Sequence, residues 1–192
     1  MISDVITVSS SGSRMEAALA EVGKVAAYKE LPPKKALHLR LLAEEMMGLM
    51  RSVTGETDGE FWIRDEGGVY ELHLRVKTLM DDEQRQKLVE ASTSGENEAA
   101  RGFMGRLRSF FDPTTCAPVF HDMFPGAPVS GSLNWTMVDY RALVDQGLAK
   151  GQQGSQEAWD ELEKSVVAHV ADDVKVSIKG LTAEMTIVKN LG

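Results

Sequence analysis

Apolar and polar residues alternate along this chain with two different periods, and the switches between them mark its elements. Val5 to Ser9 is a short β-prone run, followed by a Ser/Gly cluster that reads as a turn. Ser13 with Glu16 three residues on has capping-box spacing, in which hydroxyl and carboxylate each satisfy an unpaired amide at a helix start. Met15, Leu19, Val22 and Ala26 then recur at helical spacing. Pro32-Pro33 ends that helix and suits the first turn of a second, predicted from about Lys34 to Ser52. On a wheel of about 100° per residue, Leu39, Leu42, Ala43, Met46, Leu49, Met50 and Val53 share one arc, with Glu45 at its border beside Leu49.

The period then changes to two. Glu60–Arg64, a turn at Asp65-Glu66-Gly67-Gly68, and Val69–Lys77 predict a β-hairpin: Tyr70, Leu72, Leu74 and Val76 alternate with Glu71, His73, Arg75 and Lys77. Near the end, a helix from Gln156 to about Val170 carries Trp159, Leu162, Val166 and Val170 on one face. Val174, Val176 and Ile178 alternate with Lys175, Ser177 and Lys179, a turn lies near Gly180, and Glu184–Lys189 closes a second hairpin. The middle is less regular. A charged helical stretch, Asp82–Glu90, meets the loop Ser92-Thr93-Ser94-Gly95, and a helix with Phe103, Leu107 and Phe110 follows. Pro113, Pro118, Pro125 and Pro128 make Asp112–Leu133 a long loop or lid; Met137–Leu148 is a further helix and Gly151–Ser155 a flexible joint.

Five extended segments among amphipathic helices predict an α/β (α+β) two-layer sandwich: a mixed, mostly antiparallel sheet with helices on one face. We read residues 1–192 as one domain with a lid-like insertion at 79–155 and no internal repeat.

Composition narrows the function classes. The 192 residues, 43% hydrophobic and 26% charged, have a globular mix rather than a disordered one. A net charge of −8 sets the average field against a nucleic-acid backbone, and no basic run offsets it. The lone Cys116 cannot form an internal disulfide, the N-terminus has no leader pattern, and no segment approaches the roughly 18 apolar residues of a membrane span. The expectation is a soluble cytoplasmic protein, neither secreted, transmembrane nor fibrous.

Candidate chemistry is sparse. His38, His73, His121 and His169 lack a second His or Cys at metal-ligand spacing, so no metal site is expected. Cys116 near His121 reads as an incidental loop thiol. The stretch Ser92-Thr93-Ser94-Gly95-Glu96-Asn97 leads into a helix bearing Arg101, Arg106 and Arg108. Such a loop offers amides and guanidinium groups to an anion, although the same residues make an ordinary capped surface helix. Gly102 and Gly105 lack the strand-before-helix context of a dinucleotide fingerprint and suit close packing.

The order strand, helix, carboxylate-bearing helix, hairpin, variable lid, helix, hairpin resembles the GHKL superfamily, the ATP-binding domain of histidine kinases and anti-sigma-factor kinases. Leu41-Leu42-Ala43-Glu44-Glu45-Met46-Met47-Gly48-Leu49 is similar to that family's N-box helix, and VVAHVADDVKVSIKGLTAEMTIVKNL to its closing helix and strand pair. The resemblance implies a histidine-kinase-like ATPase fold, with Glu45 activating water or a hydroxyl and a nucleotide lid across the middle. Candidate nucleotide contacts are Thr78, at the position of the adenine-reading box, and Thr93, Ser94, Gly95, Asn97 and Arg101.

The departures shape the expected function. Leu49 stands where the family has its magnesium-holding Asn, and an aliphatic chain supplies no oxygen to a hard cation. Val76-Lys77-Thr78-Leu79-Met80 replaces the Asp-x-Gly-x-Gly box, with Asp81 or Asp82 as displaced substitutes lacking the glycines. Trp159-Asp160-Glu161-Leu162-Glu163-Lys164 replaces the last glycine-rich box, with carboxylates that repel phosphate. The reading is a non-catalytic regulatory or partner-binding module with a protein partner, no nucleic acid or membrane, and no cofactor. Two alternatives stay open: an ATP- and magnesium-binding serine kinase of the anti-sigma type, and a small-molecule receptor with its ligand between the sheet and residues 113–133.

Overall fold

A computed structural model describes residues 1–9, 15–54, 58–77, 132–152, 154–179 and 182–192. In chain order the elements are β1 (Ile6–Ser9), α1 (Met15–Tyr28), α2 (Pro33–Thr54), β2 (Asp58–Glu66), β3 (Val69–Lys77), β4 (Ser132–Thr136), α3 (Met137–Ala149), α4 (Ser155–Lys164), α5 (Val166–Val170), β5 (Asp173–Lys179) and β6 (Thr182–Asn190). Pro33 is the first residue of α2, where its missing N–H removes no helical bond.

The six strands form one sheet in the order β1-β2-β3-β6-β5-β4. Every described pairing is antiparallel, where a mixed, mostly antiparallel sheet was expected. At the centre β3 pairs with β6 in a ladder from Val69↔Asn190 to Lys77↔Thr182. On either side lies the same arrangement: a strand, then helices, then a hairpin whose last strand is central. This topological repeat has no counterpart in residue identity.

The alternation of β2 and β3 becomes two unlike faces. Phe61, Ile63, Tyr70, Leu72, Leu74 and Val76 are buried, together with Val174, Val176, Ala183, Met185 and Ile187 from β5 and β6. Covering them are Ala18, Val22 and Val25 of α1, Leu39, Leu42, Ala43, Met46 and Met47 of α2, and Met137, Tyr140 and Val144 of α3. The other face carries Trp62, Glu71, His73, Arg75, Glu184 and Thr186. A sheet with one apolar face can leave the polar face to water, which antiparallel sheets tolerate.

Two local expectations need correction. The long loop was carried to Leu133, but Ser132 and Leu133 belong to β4, a sixth strand paired with β5. The helix expected from Gln156 to Val170 is two helices, because Ser165 adopts an extended conformation at φ −81° and ψ 120°. Its hydroxyl accepts from the Ala168 amide at 3.2 Å and caps α5. The break resets the helical phase, so Val167 and Ala168 are buried while Val166 is exposed. Where a joint was expected at Gly151–Ser155, Gln152 N–H donates to Gly147 O at 2.9 Å, and a side chain on Gly147 would meet Ser155 Oγ. The charged stretch 82–90, the helix around Phe103 and the turn at Gly180 lie outside the described residues, as does Ser13 of the capping box.

The β2–β3 turn shows how charge fixes position. Gly67 and Gly68 have φ of 62° and 90°, the left-handed pair a two-residue hairpin turn requires. Asp65 is buried, accepts the Gly68 amide at 3.1 Å and pairs with Lys29, just beyond α1, at 2.5 Å. The Lys29 ammonium, aided by the Gly68 amide, holds the Asp65 carboxyl below the usual carboxylate range even though burial opposes the charge.

Two outcomes follow from this packing. Leu72→Ala removes a fully buried side chain at the sheet centre and should lower unfolding free energy by about 2–5 kcal/mol in urea titration. Asp65→Asn should melt lower than the wild type near neutral pH. Because the folded carboxyl has the depressed pKa, its stabilisation is complete above the ordinary aspartate value and lost as pH falls through the folded one. The melting difference should therefore narrow below about pH 4.

Candidate functional site

Glu45 lies in α2 one residue before Met46, which is fully buried, and is itself half-buried. The helix is continuous from Pro33 to Thr54, so position 49 follows Glu45 by one turn on the same side. No described side chain hydrogen-bonds or ion-pairs with the Glu45 carboxylate. Thr78, Thr93, Ser94, Gly95, Asn97 and Arg101 lie outside the described residues, as do Cys116 and His121. Glu45 is therefore the one predicted site residue whose surroundings can be built.

The densest polar constellation instead sits on the polar face of the sheet. The β2–β3 register sets Trp62 directly opposite His73 and Glu60 opposite Arg75, while the β3–β6 register sets His73 opposite Thr186 and Arg75 opposite Glu184. The Trp62 and His73 rings stack with centroids 4.8 Å apart and planes within 3°. Arg75 places its guanidinium carbon 4.8 Å from the Trp62 ring centre, within cation–π range.

Glu184 ties the two central strands together. Its Oε2 accepts from Arg75 Nε at 3.1 Å and Nη2 at 3.0 Å, and its Oε1 lies 3.3 Å from His73 Nδ1. Thr186 Oγ1 lies 3.1 Å from the same ring nitrogen, and Glu71 Oε2 is 3.5 Å from Nε2. Glu60 completes the row at 3.5 Å from Arg75. Opposite charges facing across strands in this way stabilise the pairing register. Sequence reasoning weighed His73 only as a metal ligand. Its alternation marked the exposed face, but its partners Glu184 and Thr186 are more than a hundred residues away and only the β3–β6 register names them.

Chemically, the cluster offers an aromatic ring, a guanidinium and carboxylates that already engage one another. Among the described residues no group of three or more His, Cys, Asp or Glu side chains is arranged to hold a metal ion. Glu45 belongs to the helical layer on the covered face, so it and this cluster do not form one site. A separate apolar groove of about 370 Å³ runs between α1 and α2, lined by Leu19, Val22, Ala26, Ala36 and Leu37 with Arg40 at its edge. Glu45 does not line it. No described helix is long and apolar enough to cross a membrane.

The chain matches no model of a known protein family, and no characterised protein aligns with it significantly. Its fold and its surfaces therefore carry the functional argument.

The Arg75–Glu184 contact can be measured. A double-mutant cycle with Arg75→Ala and Glu184→Ala should give a coupling of about 0.5–1 kcal/mol, typical of a half-exposed pair. Raising ionic strength to about 1 M should shrink it, since screening acts on exposed charges.

Proposed function

We propose that this chain is a non-catalytic regulatory module of the cytoplasm that binds a protein partner, built on a histidine-kinase-like ATPase fold whose nucleotide site is degraded. The element order supports this reading: strand, two helices with Glu45 on the second, hairpin, then helices and a closing hairpin. The observation that carries it is in α2. That helix runs unbroken through the N-box-like segment, so the residue one turn beyond Glu45 is Leu49. A carboxylate with an aliphatic neighbour cannot assemble the oxygen shell that magnesium requires. A fold outlasts the chemistry it once supported when packing residues are kept and ligands are lost.

Partner binding draws on the polar sheet face. Trp62 and Arg75 are of the residue types that dominate protein interfaces, and neighbouring antiparallel strands present them on hydrogen-bonded backbone. The Lys, Arg and Glu side chains around them fix orientation more than affinity.

A thermal-shift titration with ATP, with and without magnesium, tests the reading. The expected result is no magnesium-dependent rise in Tm. Ligand at a hundred times its Kd adds about 2.7 kcal/mol of stability, so a nucleotide binder shows a rise of several degrees. Such a rise overturns the proposal in favour of an ATP-binding kinase of the anti-sigma type.

A further inference from the structure

We draw no further inference here: the strongest candidate, the apolar groove between α1 and α2 with Arg40 at its edge, carries none because Arg40 is already paired with Glu44 and nothing in the structure shows what covers the groove.

Discussion

The pairing of β3 with β6 is the constraint on which the rest of this molecule depends. It joins a strand that ends at Lys77 to one that begins at Thr182, and holds them in one register across nine residues of each. Leu72 against Ile187 and Leu74 against Met185 set two buried pairs on one face. His73 against Thr186 and Arg75 against Glu184 set polar pairs on the other. A slip of one residue would exchange the faces, putting carboxylates and a guanidinium into the core. Hydrophobic burial and cross-strand charge thus specify the same alignment from opposite sides.

From that ladder the two halves extend outward in the same manner, each ending in a short edge strand reached through helices. The helices answer a single demand, the covering of one apolar face. Helix α2 meets β3, β6 and α5, so it spans the seam between the halves. Lys35 near its start donates to the Leu191 carbonyl, tying the end of β6 to the helical layer. Arg141 of α3 likewise donates to the Ala168 carbonyl of α5.

The same geometry separates the two places where function was sought. Glu45 rides on the helical layer, while the Trp62–His73–Arg75–Glu184 cluster occupies the opposite face. In that cluster Glu184 pairs with Arg75 and reaches His73 Nδ1, while the buried His73 Nε2 has no hydrogen-bond partner among the described residues.

Much of this was legible without coordinates. The period-two run Tyr70, Leu72, Leu74, Val76 gave β3 and its buried face, Gly67-Gly68 gave the turn, and Pro33 the start of α2, because each of these signals is local. Three kinds of feature were not legible. The break at Ser165 hides in a sequence whose helical period reads straight through, because a serine serves equally as a helix residue and as a cap. Strand β4 is short and uncharged, and it becomes a strand by pairing with β5 rather than by its own propensity. The partners of His73 lie across a ladder between segments far apart in the chain. Taken alone, the sequence determined which residues alternate, which repeat helically and where the backbone must turn. Only the tertiary structure decided which strands are neighbours and which are edges, because strand pairing is a long-range contact whose register is selected by burial of the whole face.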